Sequence, residues 1–249
     1  MKGEKKVKID PEKAVEVKHG IWWIGWPDYK AGFSNNPYLI KDGDEIIVID
    51  PGSALDEHWS IVKKKIESIV PLEKITMVIV TQQDPDLCAA LPYIEQAVGV
   101  NNFEIVTTDR TSLFIPYYNV KTDVTVIEDN DMMEIGDSGR ELKFITTPYL
   151  HFPGAFVVYD TLYKVLFSSD IFGAFSVDWN LYANEYYTEA IKSFAEPYLP
   201  DKRHVMNFLN KIKNLEIDLI CPQHGSIIPK DRISEMIAVL KDLEVGVWK

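Results

Sequence analysis

The stretch Thr76-Met77-Val78-Ile79-Val80-Thr81 lacks the apolar–polar alternation of a half-exposed strand, and it stops abruptly at Gln82-Gln83-Asp84-Pro85-Asp86. A short, unalternating run of this kind suits a strand buried on both faces, which demands covering layers on either side of its sheet. The chain is therefore expected to stack sheets and helices in layers. Its 249 residues suffice to bury such a core. No repeat or low-complexity linker interrupts them, so one domain over 1–249 is expected.

The remaining periodicities agree with that picture. Strand-like runs occur at Ile21–Trp26, Tyr38–Ile40 and Glu45–Asp50, then at Phe103–Thr107, Val124–Ile127, Leu142–Thr146, Ala155–Tyr159, Lys164–Phe167 and Ile217–Cys221. Helical patterns begin near Ala54, cover Trp59–Ile69, and return over 89–98, 187–198, 201–214 and 230–243. Sheets with helices on their outer faces follow. Lys63-Lys64-Lys65 falls inside one helical pattern and reads as a solvated face.

A formal net charge of -12 repels phosphate backbones and anionic lipid, so neither nucleic acid nor membrane is an expected partner. No stretch approaches the roughly 20 apolar residues that span a bilayer. The charged start Met1–Lys8 lacks the apolar core of a secretory signal, and a cytoplasmic location is expected. The two cysteines, Cys88 and Cys221, form no Cys-x-x-Cys pair and read as buried free thiols.

Chemistry-bearing residues recur just after the apolar runs. Asp84 and Asp86 follow Val80-Thr81, His151 follows Ile145-Thr146 through Thr147–Leu150, Asp170 follows Phe167-Ser168-Ser169, and His224 follows Cys221-Pro222-Gln223. Strand ends that share one edge of a layered fold deliver their residues to a common crevice. Each segment taken alone is an ordinary turn, cap or packed histidine. Together they offer three carboxylates and two imidazoles, a donor set that suits iron or manganese better than structural zinc. An extended Asp84–Asp86 loop would set both carboxylates on one side, a repulsion that cations relieve.

In this order the four segments resemble the metallo-β-lactamase-like domain of flavodiiron proteins, the di-iron oxygen and nitric-oxide reductases. The resemblance covers the whole chain. It rests on Gln82-Gln83-Asp84-Pro85-Asp86-Leu87, on Thr147-Pro148-Tyr149-Leu150-His151-Phe152-Pro153-Gly154, on Leu166-Phe167-Ser168-Ser169-Asp170-Ile171-Phe172-Gly173, and on Pro222-Gln223-His224-Gly225. It implies an α/β fold, an αββα sandwich of two mixed β-sheets flanked by helices. It also implies two non-haem Fe ions, with Asp170 as the bridge, Asp84 and His151 on one iron, and Asp86 and His224 on the other. Gln82 and Leu87 stand where the family has histidine ligands, and Asp84 where it has a glutamate, so the ligand set is depleted and Gln82 becomes a candidate to complete one iron. Tyr149, Trp179 and Tyr182 are the aromatic candidates around the site.

The reductases also carry a flavodoxin-like domain, and no Gly-rich loop that would hold FMN is visible over 1–249. The resemblance therefore points first to a stand-alone domain that binds O2 at reduced iron as an oxygen sensor in signalling. An O2 or NO reductase module fed by a separate electron-transfer partner is the second reading, and a zinc-dependent hydrolase the third. A metal-free interaction module is disfavoured, because unpaired buried carboxylates are costly without cations. A homodimer is the expected assembly.

Overall fold

The unalternating run becomes the strand Met77–Ile79, all three residues buried, inside a seven-stranded sheet. This chain is described over residues 10–29, 32–175 and 179–247 of a computed structural model, and the Met1–Lys8 stretch lies outside the described residues. Across the first sheet the order is Val15–Lys18, Ile21–Trp23, Tyr38–Asp42, Glu45–Ile49, Met77–Ile79, Glu104–Thr107 and Val124–Val126. The second sheet runs Met132–Ile135, Arg140–Thr146, Phe156–Asp160, Val165–Ser169, Leu219–Pro222 and Ile228–Pro229. Both sheets mix parallel and antiparallel pairs.

The inner faces of the two sheets share a core that includes Ile21, Trp23, Tyr38, Phe144, Phe156 and Phe167. Helices Asp56–Glu67 and Leu91–Val98 cover the outside of the first sheet through Val62, Ile66, Leu91 and Ile94. Helices Tyr187–Tyr198, Lys202–Ile212 and Lys230–Asp242 cover the second through Ile191, Phe208 and Met236. The architecture is the αββα sandwich. Among the described residues no helix is long and apolar enough to cross a membrane.

Three local readings change. The apolar run Ile21–Trp26 splits at Ile24-Gly25, and Trp26–Asp28 leaves the sheet to pair with Phe33–Asn35 in a separate two-stranded ribbon. The edge strands Val15–Lys18 and Met132–Ile135, in which only Ile135 is buried, have no buried face for periodicity to announce. Lys65 does not belong to a solvated face. It is 1% exposed, donates its Nζ to the Gly25 carbonyl, and sits 3.8 Å from the centre of a Trp23 ring. Burial lowers its amine to about 7, partly offset by the charges of Glu12 and Asp10.

Gly25 also lets the Asn35-Asn36 backbone pack directly against it. A Cβ there would collide with the Asn35 carbonyl oxygen and lie 2.8 Å from Asn36 Cα. Gly25→Ala is expected to destabilise the protein by about 1–3 kcal/mol through overpacking against backbone, read by denaturant unfolding.

The site edge follows from chain direction. Glu45–Ile49, Met77–Ile79 and Glu104–Thr107 are parallel neighbours and end on one edge. In the second sheet Val165–Ser169 and Leu219–Pro222 are parallel and end at Asp170 and His224. Arg140–Thr146, two antiparallel pairings away from Val165–Ser169, also runs toward this edge and leads to His151. The sheets are tied together there, with Phe156 N donating to Thr81 O at 3.2 Å and Thr108 Oγ1 to Gly154 O at 2.7 Å.

Candidate metal centre

Asp84 is the N-cap of the short helix Pro85–Cys88, and its carbonyl accepts from Leu87 N and Cys88 N. Its carboxylate makes no capping bond and instead lies 3.3 Å from His151 Nε2. Asp86 stands in the first turn of that helix, so the two carboxylates are separated by a helix start and not by the extended loop expected above. A helical start turns residues two apart to different sides, and each Asp meets its own histidine. Asp86 Oδ2 lies 3.3 Å from His224 Nε2.

Asp170 stands between them. It is 1% exposed, with Oδ2 2.8 Å from His151 Nε2 and Oδ1 3.2 Å from His224 Nε2. Its two oxygens thus serve two histidines. The structure brings Asp84, Asp86, His151, Asp170 and His224 together as two half-sites that share one carboxylate. Among the described residues, Asp84, His151 and Asp170 form a group whose donor atoms all lie within 4.8 Å of one another.

Gln82 joins this cluster. Fully buried, it directs Nε2 at Asp170 Oδ2 and leaves Oε1 without a hydrogen-bond partner. Trp179 lies beside the other half-site, donating its indole N–H to the Gly225 carbonyl at 2.9 Å and stacking on Trp23. Tyr149 is turned elsewhere: it is 48% exposed and its ring packs on His204. Tyr182 is likewise exposed, joined to Ile227 by a backbone bridge.

The side chains that flank the histidines escaped the sequence reading. Phe33 stacks on His224 with ring centres 4.1 Å apart, Phe194 approaches the same imidazole, and Tyr198 meets His151 edge-on. Also missed was the clasp Ser34-Asn35-Asn36. His224 Nδ1 bonds Ser34 O at 2.8 Å, Asn36 Nδ2 donates to the carbonyls of Pro222 and Gly225, and Asn35 links the Asp86 carbonyl to the Gln223 side chain. Committing Nδ1 to a carbonyl makes it the protonated nitrogen and leaves Nε2 facing the carboxylates, the usual way a ligating imidazole is oriented. The only signal in the chain is a polar tripeptide before Pro37, which marks a loop and nothing more.

The buried carboxylates and imidazoles shift one another's proton affinity. Burial opposes charge on His224, but hydrogen bonding to Asp170 and the carboxylate charges raise it to about 9. Burial likewise disfavours ionised Asp170, and here the hydrogen bonds from both histidines prevail and hold it well below the usual carboxylate range. Burial lifts Asp84 to about 6 against the pull of His151. Three carboxylates gathered around two imidazole nitrogens fit cations held among them. The oxygen-rich donor set and the orphaned Gln82 Oε1 are consistent with hard metal ions.

Behind the cluster Asp50 fastens the two sheets. It is 1% exposed; its Oδ1 accepts from Thr81 N at 2.8 Å and its Oδ2 lies 2.7 Å from Thr81 Oγ1, which is itself 2.8 Å from Ser169 Oγ. Thr81 and Ser169 each carry a hydroxyl proton, enough to satisfy both contacts of Thr81 Oγ1, and burial pushes the Asp50 carboxyl up to about 8 against the two Thr81 hydrogen bonds. Because the folded value is raised, Asp50's contribution to stability is full below its unfolded value near 4 and is lost as pH rises to about 8. Asp50→Asn is therefore expected to gain stability relative to the parent as pH rises across that window. The maximal slope is about 1.4 kcal/mol per pH unit, and paired urea melts would measure it.

A layered sandwich with carboxylates and imidazoles collected at one edge is a metallo-β-lactamase-like arrangement. Residues 33–225 match the family model described as ODP family beta lactamase, and the chain belongs to that family. It is 31% identical over 239 residues to the uncharacterized protein MJ0732 of Methanocaldococcus jannaschii, covering 90% of this chain and 58% of that one. It is 24% identical over 238 residues to the anaerobic nitric oxide reductase flavorubredoxin of Enterobacter sp. (strain 638), covering 86% and 48%. The chain thus spans roughly half the length of the curated relatives it matches. Among solved structures, rubredoxin oxygen:oxidoreductase of Desulfovibrio gigas superposes with TM-score 0.84 at 20% identity, over 92% of this chain and 61% of that one. The peroxy di-iron form of the chemotaxis sensor ODP superposes with TM-score 0.79 at 23% identity, over 94% and 96%.

Proposed function

We propose that this protein binds O2 at a reduced non-haem di-iron site and serves as an oxygen sensor. The observation that carries the reading is the division of Asp170, one oxygen toward His151 and Asp84, the other toward His224 and Asp86. Two ions sharing one carboxylate fit that division, with Asp84 and His151 holding one and Asp86 and His224 the other. When bound, reduced iron supplies the electrons and open coordination positions that a diatomic ligand needs.

The chain's own residues set the conditions. Ser34 O fixes the His224 ring, Phe33 and Phe194 flank it, and Tyr198 lies against His151, so apolar surface shields His224 while the Asp84–His151 side stays partly open to solvent. Similarity to a chemotaxis sensor supports the signalling role. Similarity to a nitric oxide reductase and an oxygen oxidoreductase supports the second reading, an O2 or NO reductase module served by a separate donor.

One experiment separates them. Protein loaded anaerobically with Fe(II) is given a single dose of O2 without a reductant, and metal content and the optical spectrum are followed. A persistent new absorption with stoichiometric O2 uptake supports the sensor. Sustained O2 or NO consumption once a donor is supplied favours the reductase, and zinc as the bound metal points to a hydrolase.

A further inference from the structure

Gln82 occupies an unusual position for an amide. It is 0% exposed, and its backbone is anchored next to Thr81, whose N–H and hydroxyl both meet Asp50. Its side chain reaches the Asp170 oxygen that also contacts His151, yet Oε1 has no partner. Leaving a buried acceptor unpaired costs about 1–3 kcal/mol, so a water or a cation beside Gln82 Oε1 would be favoured. Rotation about the terminal torsion, which is broad and roughly two-fold, exchanges nitrogen for oxygen at the same place. Nitrogen facing Asp170 gives that carboxylate oxygen a donor. With a cation between Asp84, His151 and Asp170, oxygen facing inward is the favourable orientation.

Resting on the di-iron reading, we infer that the Gln82 amide oxygen is a ligand of the ion held by Asp84, His151 and Asp170, and that this position fills before the other. Counting protein donors gives four on that side: Asp84, His151, Asp170 Oδ2 and Gln82 Oε1. The other side has three: Asp86, His224 and Asp170 Oδ1. Each position has one carboxylate of its own and half of the bridge, so the charges match and the neutral amide makes the difference. The two ions are chemically inequivalent for that reason.

The test is an anaerobic titration with Fe(II) alone, followed by calorimetry and by Mössbauer spectroscopy of ⁵⁷Fe at one equivalent. Two resolved steps are expected, the first at least about tenfold tighter, with one dominant doublet at one equivalent. Gln82→Leu should weaken the first step at least about tenfold, leave the second unchanged, and alter that doublet. Gln82→Glu keeps an oxygen donor and should retain or tighten the first step, which keeps the test decisive if the leucine variant folds poorly. Two ions entering in one step of equal affinity would overturn the inference while leaving the di-iron reading intact. So would a first step indifferent to Gln82→Leu, or one lost in Gln82→Glu. No Fe(II) binding at all would overturn the di-iron reading and this inference with it.

Discussion

Asp170→Asn is expected to abolish tight binding of the two ions proposed above, with affinity falling by more than the roughly hundredfold that loss of an outer partner costs a metal site. Both half-sites depend on this one side chain, because its oxygens lie 2.8 Å from His151 Nε2 and 3.2 Å from His224 Nε2. An asparagine retains one acceptor oxygen and points an amide N–H at a position that needs a negative donor. Replacing Asp84 or Asp86 should by contrast spare the half-site that lacks it. Metal analysis of the three variants after identical anaerobic loading checks the pattern, and equal losses in all three would contradict a shared carboxylate.

Arg140→Met is expected to destabilise the protein by about 3–5 kcal/mol without changing its metal content. Arg140 opens the strand Arg140–Thr146 at the end remote from His151 and is 1% exposed. Its Nε lies 3.1 Å from Asp160, also fully buried, and 3.7 Å from Asp42; its Nη2 donates to the His19 carbonyl of the opposite sheet, and its guanidinium covers the Tyr163 ring. Losing the cation strands the Asp160 carboxylate in the core. Burial already raises Asp160, against the opposing pull of a Tyr163 backbone bond and the Arg140 charge. Without Arg140 the folded value climbs further, so the deficit should be smallest in acid, where Asp160 is protonated in both states, and grow as pH rises. Guanidinium melts at pH 5 and pH 8 measure the trend. Adding Asp160→Asn should recover part of the loss, and no recovery would show that packing of the arginine stem dominates.

These two variants probe opposite ends of the sandwich, and the ends differ in how legible they were. The chemistry of the site edge could be read because each metal-competent residue follows an apolar run, as Asp170 follows Val165–Ser169 and His224 follows Leu219–Pro222. A buried strand has a local signature, and the residue after it inherits its position from the strand. The Arg140–Asp160 pair had no comparable signal, since a charged residue at a strand start looks the same in sequence whether solvent or a second sheet lies beyond it.

From the amino-acid order alone came the layered α/β class, the helices over 187–198 and 230–243 to within a residue, and the five residues that converge. Tertiary structure alone decided how they converge. The helix start at Asp84 sends Asp84 and Asp86 to different histidines, and the Ser34-Asn35-Asn36 clasp orients His224 across a separation of 190 residues. It also buried Lys65 beneath Trp23 and left Gln82 Oε1 unpaired. Periodicity reports which face of an element is apolar, because that depends on spacing along the chain. It is silent on which distant carbonyl or ring will meet a given polar atom, because that depends on how two sheets pack.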